Sequence, residues 1–354
     1  MPDERIGAAV ANWAPRFVTN GVDPNDFQRV TAPLERWEGW LDAWSVNGDM
    51  HAVLAREAES HGRPLTAGRA WVRAALSYHF AKFVWMVDMA KHRETADLAV
   101  DALRQAHRLL DPTAERVEVP FPPTTMVGTL RRPRGIERPP LVFLLPGLDS
   151  TKEEFFGWEQ VFLDRGMATL SLDGPGQGET GYATHIRADY EVGVAAMLDG
   201  LSGRSDLDLD RVGAVGVSLG GYYAPRAAAF EPRIRASVAI GGPYNFGECW
   251  DGLPALTRET FVHHSGAANE TEGRDLASRL DLGPVLAGLR TPLLVIFGKL
   301  DRLIPWQHAE RVAADAPNAQ LVMYEHGNHV CNNIPYLYRP LAADWTREQL
   351  DRVG

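Results

Sequence analysis

The feature that most constrains the fold is a regular alternation of apolar runs and helical patterns that begins at residue 141. The runs are LVFLLPG, MATLSLDG, RVGAVGVS, ASVAIGG, PLLVIFG and QLVMYEHG, and a last helix is predicted over about 336–352. Such alternation predicts an α/β fold with a mostly parallel central sheet and helices on both faces. Because the runs are almost continuously apolar, we expect their strands to be buried on both sides.

The chain before this region has a different pattern, which predicts two domains. Over about 30–111, apolar and aromatic residues recur every three or four positions, and six of the ten tryptophans lie in the first 85 residues. The Pro-rich stretch that follows contains RVEVPF and TTMVGTLRRP, which predict a short antiparallel pair. We predict a helical domain over 1–111 and an α/β domain over 112–354. The α/β domain carries a helical insertion at about 243–291, and both helical parts are expected to cap the site.

Composition excludes several classes of protein. The 354 residues carry 36 Lys and Arg against 46 Asp and Glu, a net charge of −10 without a basic run, so neither nucleic acid nor a membrane is an expected partner. No apolar stretch of about 18 residues and no secretion signal is visible. Cys249 and Cys331 can form at most one disulfide and have no metal-ligand spacing. We therefore expect a cytoplasmic protein without a metal site, which acts on a small molecule.

Three polar residues follow predicted strands in an order typical of nucleophilic catalysis. Ser218 lies in the G-x-S-x-G motif of residues 216–220, between a strand and a helix, and Asp301 and His329 follow the last two strands. The carboxyl ends of parallel strands meet at one edge of a sheet. We predict Ser218 as nucleophile, His329 as general base and Asp301 as the group that orients the imidazole. The motif alone also fits a structural turn, and Asp301 also fits a helix cap.

Two loops are expected beside these residues. The first apolar run ends in Pro146-Gly147-Leu148-Asp149, where this kind of fold supplies one oxyanion-binding amide, and the residue after the nucleophile supplies the other. We therefore predict the backbone N–H groups of Leu148 and Leu219 as the oxyanion hole. The loop DGPGQG at 173–178 lacks the spacing of a phosphate-binding loop, and we predict a tight turn that borders the site.

These motifs together resemble the α/β-hydrolase superfamily and, more narrowly, the 2,6-dihydroxypseudooxynicotine hydrolase group with its FrsA-like and fungal pigment hydrolase relatives. The resemblance covers nearly the whole chain. Besides the Ser218 motif, its carriers are Trp13-Ala14-Pro15-Arg16-Phe17, Asn20-Gly21-Val22-Asp23, Tyr78-His79-Phe80-Ala81-Lys82-Phe83, Gly147-Leu148-Asp149-Ser150-Thr151-Lys152-Glu153-Glu154 and Asp173-Gly174-Pro175-Gly176-Gln177-Gly178-Glu179.

The resemblance implies hydrolysis of a carbon–carbon bond next to a carbonyl, in an aryl ketone or polyketide-like 1,3-diketone, through an acyl-enzyme and without cofactor. It also implies a proton donor at Asp149, where the related enzyme has the longer glutamate, a substrate-binding role for His79, and a homodimer. Tyr244 and Trp250, which lie early in the predicted insertion, are further candidates for substrate binding. Asp149 also fits a turn residue, and His79 a hydrogen-bonded core histidine.

Two other functions stay open on the sequence. The same triad and oxyanion hole would serve a carboxylesterase, lactonase or thioesterase, or an acyl-transfer cyclase of a biosynthetic pathway. A non-catalytic binding protein on a hydrolase scaffold is the third possibility, against which the intact set Ser218, Asp301 and His329 argues.

Overall fold

The computed structural model describes residues 3–352, which divide into two compact units. The first unit comprises Met1–Ala114 and Glu153–Gly157, and the second comprises Glu115–Lys152 and Trp158–Gly354. Segment 153–157 therefore belongs to the helical unit although the chain on both sides of it belongs to the other. Residues 1–2 of the predicted helical domain and residues 353–354 of the predicted α/β domain lie outside the described part of the chain.

Five helices form the first unit. They are α1 (Glu4–Asn20), α2 (Pro24–Thr31), α3 (Trp40–Ser60), α4 (Pro64–Lys82) and α5 (Met89–Leu110). Helix α1 lies in the predicted helical domain, ahead of the stretch of about 30–111 whose spacing predicts helices. Its N-cap is Asp3, whose carboxylate accepts the N–H of Arg5 at 2.9 Å. The helical signal was present, because the buried residues Ile6, Trp13 and Phe17 have helical spacing.

Aromatic side chains make the core of this unit. Phe17 of α1 stacks on Phe80 of α4 with ring centroids 3.8 Å apart, and Trp40 and Trp44 of α3 pack around it. The indole N–H of Trp40 donates to the carbonyl oxygen of Phe80 at 2.9 Å, so its polar atom is satisfied inside the core. All six N-terminal tryptophans are buried.

The second unit is built on an eight-stranded sheet. Its strands are β1 (Glu115–Phe121), β2 (Thr124–Arg131), β3 (Pro140–Leu145), β4 (Ala168–Asp173), β5 (Asp208–Val217), β6 (Ile234–Ile240), β7 (Leu293–Gly298) and β8 (Ala319–Tyr324), in the order β1-β2-β4-β3-β5-β6-β7-β8. β1 and β2 form the predicted antiparallel pair, β2 is antiparallel to β4, and all other neighbours are parallel. The predicted mostly parallel sheet is thus confirmed.

Helices follow the strands of this sheet. They are α6 (Phe156–Leu163), α7 (Gly178–Gly181), α8 (Glu191–Leu201), α9 (Gly220–Phe230), α10 (Ala255–Ser265), α11 (Glu270–Ser278), α12 (Gly283–Leu286), α13 (Gln307–Asp315) and α14 (Pro335–Asp351). α6 begins within segment 153–157, and α10, α11 and α12 occupy the predicted insertion. Among residues 3–352, none of the helices combines the length and the apolar character that crossing a bilayer requires.

One strand differs from expectation. β3, β4 and β7 are buried along their whole length, as their continuous apolar runs predict. β8 is not, since Gln320 and Leu321 are exposed and the rest of the strand is only partly buried. The expectation of burial on both sides is wrong for β8, because it is the last strand in the order and its outer edge has no neighbouring strand.

Candidate active site

Ser218 lies on a sharp turn between β5 and α9. Its φ of 54° is in the left-handed region, which a serine adopts only where the surroundings hold it. Any side chain at Gly216 would collide with the carbonyl of Gly220, and one at Gly220 with the carbonyl of Leu145. The N–H of Ser218 donates to the carbonyl of Ile240 on β6 at 2.9 Å. The glycines therefore make possible the turn that lifts the serine side chain above the sheet.

The structure brings the three predicted polar residues together. His329 Nε2 lies 2.9 Å from Ser218 Oγ, and His329 Nδ1 lies 2.8 Å from Asp301 Oδ2. Because a carboxylate only accepts, Nδ1 carries the proton of the neutral imidazole, and Nε2 accepts the bond from the serine hydroxyl. The Asp301 side chain is fully buried, whereas about a tenth of the His329 side chain is exposed. This is the geometry by which a histidine can take a proton from a serine.

The backbone holds Asp301 in place. Its Oδ1 accepts the N–H groups of Leu303 at 2.8 Å and Ile304 at 3.0 Å, while Oδ2 faces His329. Asp301 does not cap a helix, because residues 302–304 form a bend and α13 begins only at Gln307, with Trp306 as its N-cap. Its Oδ1 closes a backbone turn instead, and this turn determines where Oδ2 points.

The loop after β3 passes close to Ser218. A Cβ atom added to Gly147 would lie 3.0 Å from Ser218 Cβ and 3.4 Å from Ser218 Oγ, so only glycine fits without displacing the serine. Within residues 3–352, the N–H groups of Leu148 and Leu219 donate to no protein acceptor. Both amides are free to bind an oxyanion. Asp149 follows Leu148 directly and is half-buried.

The two aromatic candidates of the insertion are packed against neighbours. The Tyr244 hydroxyl donates to Asp315 Oδ2 at 2.7 Å, and the guanidinium of Arg311 lies 3.9 Å from the centroid of the Tyr244 ring. Trp250 is buried and packs edge-on against Phe261, with ring centroids 5.8 Å apart. These contacts hold both rings in one orientation, and their substrate-binding role stays a prediction.

A buried thiol and a histidine that sequence reasoning missed lie near Asp301. His308 Nδ1 accepts the N–H of Tyr244 at 3.1 Å, and His308 Nε2 lies 3.7 Å from Cys249 Sγ. Burial lowers the pKa of His308, and burial together with the charge of Asp301 raises the pKa of both Cys249 and Cys331 to about 12. Both cysteines are free thiols, so they are protonated at neutral pH and behave as small apolar residues. No spacing in the sequence signals this cluster.

His79 belongs to a buried ion-pair cluster of the first unit. Glu154 accepts bonds from Arg16 Nε and Nη2 at 2.6 Å each, from Asn20 Nδ2 at 2.5 Å, and from His79 Nε2 at 3.1 Å. The four residues come from four of the motifs quoted above. These residues lie far apart in the sequence. Their common contact with the Glu154 carboxylate explains why the motifs that contain them occur together.

The electrostatics of the cluster follow from its burial. Burial, and then the positive charge of Lys82, lower the pKa of His79, so its imidazole is neutral and donates from Nε2. Burial alone would raise the pKa of Glu154, but the charge and hydrogen bonds of Arg16 outweigh it and hold that pKa well below its usual range. His79 has no exposed surface, and its role in substrate binding stays a prediction.

A mostly parallel sheet that carries a strained serine turn and a Ser–His–Asp chain at the ends of its strands defines an α/β-hydrolase. Comparison with known proteins narrows the class to a family. The model of the esterase FrsA-like family matches residues 30–247, and that of the prolyl oligopeptidase family matches residues 153–352. The chain belongs to the FrsA-like family of α/β-hydrolases, which confirms the resemblance seen in the motifs.

Individual relatives agree with this assignment. The chain is 33% identical over 343 residues to 2,6-dihydropseudooxynicotine hydrolase of Paenarthrobacter nicotinovorans, a match that covers 96% of this chain and 92% of that protein. A crystal structure of the 2,6-dihydroxy-pseudo-oxynicotine hydrolase superimposes with a TM-score of 0.86 over 96% of each chain. Hydrolyase poxO of Penicillium oxalicum is 34% identical over 229 residues, 60% of this chain and 53% of the fungal protein. That match therefore spans only about half of the fungal enzyme.

Proposed function

We propose that this hydrolase cleaves a carbon–carbon bond next to a carbonyl group, in an aryl ketone or polyketide-like 1,3-diketone. The observation that carries the proposal is the match over 96% of the chain to an enzyme named for hydrolysing 2,6-dihydropseudooxynicotine. The hydrogen-bonded chain of Ser218, His329 and Asp301 supplies the chemistry that such a reaction needs.

The proposed reaction begins with attack of Ser218 Oγ on the carbonyl carbon while His329 Nε2 takes the serine proton. Asp301 stabilises the imidazolium that forms. The carbonyl oxygen becomes an oxyanion, which the N–H groups of Leu148 and Leu219 bind. The carbon–carbon bond then breaks, the electron pair and a proton go to the carbon fragment, and the acyl group stays on Ser218. Water hydrolyses this ester and releases a carboxylic acid.

Asp149 is the proposed proton donor for the carbon fragment. It lies on the same loop as Leu148, and it occupies the place where the family resemblance puts a glutamate. Aspartate is one methylene shorter than glutamate, so the substrate binds closer to the loop or a water molecule carries the proton. The half-buried position of Asp149 is compatible with either route.

The remaining expectations belong to the same proposal. His79, Tyr244 and Trp250 are the candidate substrate-binding residues, and the enzyme works without cofactor as a homodimer in the cytoplasm. Two buried free thiols suit a reducing compartment. Light scattering of the purified protein tests the dimer.

Ester hydrolysis is the second candidate function. The family model that matches the chain is described as esterase FrsA-like, and the same serine, histidine and oxyanion-binding amides serve any acyl transfer. The two candidates differ in the leaving group, because a carbon fragment needs a proton donor whereas a p-nitrophenolate leaves without one.

The test compares wild type, Ser218→Ala and Asp149→Asn on an aryl 1,3-diketone and on a p-nitrophenyl ester, with products identified by mass spectrometry. We expect Ser218-dependent release of an acid and a shortened ketone. Asp149→Asn should lose diketone cleavage and keep ester hydrolysis. Diketone cleavage that survives in Ser218→Ala would refute the nucleophile, and Ser218-dependent ester cleavage without any diketone cleavage would establish the esterase instead.

A further inference from the structure

The loop DGPGQG, which follows β4, holds the oxyanion loop through a glutamine side chain. Gln177 is buried, with only 1% of its surface exposed. Its Nε2 lies 2.8 Å from the carbonyl oxygen of Pro146 and 2.8 Å from that of Gly147. The two protons of one side-chain amide therefore bind two successive backbone carbonyls beside Ser218.

This contact decides the direction of a candidate oxyanion donor. The carbonyl of Gly147 and the N–H of Leu148 belong to one planar trans peptide group, in which C=O and N–H point in opposite directions. When Gln177 binds the carbonyl oxygen, the N–H of Leu148 points away from Gln177. The Gly147 end of this peptide group lies against Ser218, so a rotation of the peptide would change where the Leu148 N–H points beside Ser218.

The orientation of the Gln177 amide is itself determined. Its Oε1 accepts the hydroxyl of Tyr190 at 2.7 Å and the N–H of Gly174 at 3.3 Å. A flipped amide would place Oε1 against the carbonyls of Pro146 and Gly147 and leave the N–H of Gly174 without an acceptor. Only one orientation satisfies all four partners, so Nε2 faces the oxyanion loop.

Tyr190 is rigid in turn. Its ring is fully buried and stacks on Tyr223 with centroids 3.8 Å apart and ring planes 9° apart. Burial raises the pKa of Tyr190 well above its usual range, so the hydroxyl keeps the proton that it donates to Gln177. Any side chain at Gly174 would collide with this hydroxyl, which accounts for the glycine that follows Asp173.

The same loop also holds the far end of the oxyanion loop. Asp173 Oδ1 accepts the backbone N–H of Lys152 at 2.9 Å, and Asp173 Oδ2 accepts Lys152 Nζ at 2.8 Å. Residues 146–152 are thus bound at both ends by side chains of residues 173–178. The loop at 173–178, which the sequence predicts only as a tight turn that borders the site, therefore also holds the oxyanion loop in place.

We propose that Gln177 is a positioning residue, which holds the Gly147–Leu148 peptide so that the Leu148 N–H points at the oxyanion formed on attack by Ser218. This inference rests on the proposed serine mechanism, and it holds for ester and carbon–carbon substrates alike because both form an oxyanion.

The test is Gln177→Met, which keeps the length of the side chain and removes both donors, with Gln28→Met as the control at an exposed glutamine. Removing a whole oxyanion donor typically costs about 10²–10³ in kcat, so we expect a displaced donor to cost about 10- to 100-fold in kcat with KM within about threefold. Affinity for a trifluoromethyl ketone, which forms a tetrahedral adduct with the serine, should fall by the same factor. The control should stay within twofold on every measure.

The outcomes separate this inference from the proposed function. Full turnover in Ser218→Ala would refute the serine mechanism itself. Ser218-dependent turnover with kcat unchanged in Gln177→Met would overturn only the role of Gln177. If Gln177→Met raises KM and leaves kcat unchanged, Gln177 has a merely structural role, and this result would also overturn the proposal. If Gln177→Met does not fold, Tyr190→Phe serves as the test, because it removes the hydroxyl that orients the Gln177 amide. A severalfold lower kcat at constant KM would support the proposal, and an unchanged kcat would overturn it.

Discussion

The contacts of Asp301 make Asp301→Asn a sharp test of the candidate triad. The N–H groups of Leu303 and Ile304 both donate to Oδ1, so the asparagine must place its oxygen there. Its amide nitrogen then occupies the position of Oδ2, 2.8 Å from His329 Nδ1, and donates to it. The substitution therefore keeps the turn closed by Oδ1 and the shape of the site, but it reverses the direction of one hydrogen bond.

The reversed bond changes the tautomer of His329. With Nδ1 as acceptor, the neutral imidazole carries its proton on Nε2, which faces Ser218 Oγ at 2.9 Å and can no longer take the serine proton. The same change in a serine-protease triad lowers kcat by about 10⁴. At about 1.36 kcal/mol for each factor of ten, this corresponds to about 5 kcal/mol of lost transition-state stabilisation. We expect a loss of that order here and little change in thermal stability.

The assay is steady-state hydrolysis of a p-nitrophenyl ester by wild type, Asp301→Asn and the control Asp88→Asn. Asp88 is exposed, and as the N-cap of α5 its Oδ1 accepts the N–H groups of Ala90 at 3.0 Å and Lys91 at 3.2 Å. It therefore makes the same pair of backbone hydrogen bonds as Asp301, at residues two and three positions further on, without an imidazole partner. The control should keep kcat within twofold. A loss of less than about tenfold in a folded Asp301→Asn would show that the tautomer argument is wrong.

Two further substitutions test the rest of the structure. Glu154→Gln removes the carboxylate charge that faces buried Arg16 Nη2 at 2.6 Å and should cost about 3–5 kcal/mol in denaturant unfolding. Asp101→Asn, at an exposed ion pair, should cost far less, and equal shifts would contradict this. Because the folded-state pKa of Glu154 is depressed, its stabilisation is present above the unfolded pKa, and the gap between wild type and variant should narrow below about pH 4. Gly147→Ala places a methyl group 3.4 Å from Ser218 Oγ and should lower kcat at least about tenfold. The control Gly157→Ala, which has open space around its Cβ, should leave kcat unchanged. Similar kcat values for the two variants would count against the packing argument.

Much of the fold follows from local pattern. Apolar runs of seven or eight residues that alternate with helical segments are typical of buried parallel strands, and the observed sheet has the predicted strands. The polar residues of the site were also predictable, because Ser218, Asp301 and His329 follow strands whose carboxyl ends share one edge. The helical signal of α1, which is the spacing of Ile6, Trp13 and Phe17, is equally local.

Other features have no local signal. β8 resembles a buried strand in sequence, and only the strand order shows that it is at the edge. Nothing in the segment 153–157 indicates that it joins the helical unit. Gln177 looks like a polar turn residue, and its contacts with Pro146 and Gly147 span about thirty positions of the chain.

By itself, the sequence determined the α/β class, the nucleophile turn and the order of the Ser–Asp–His set, because each depends on neighbouring residues or on the repeat of strand and helix. Only the tertiary structure decided which groups hold that set in place. The bond of Asp301 Oδ2 with His329 and the bonds of the Gln177 amide are about 3 Å long and depend on where separate segments of the chain meet. The period of the apolar residues predicts the fold. The direction of individual buried donors and acceptors depends instead on how the whole unit packs.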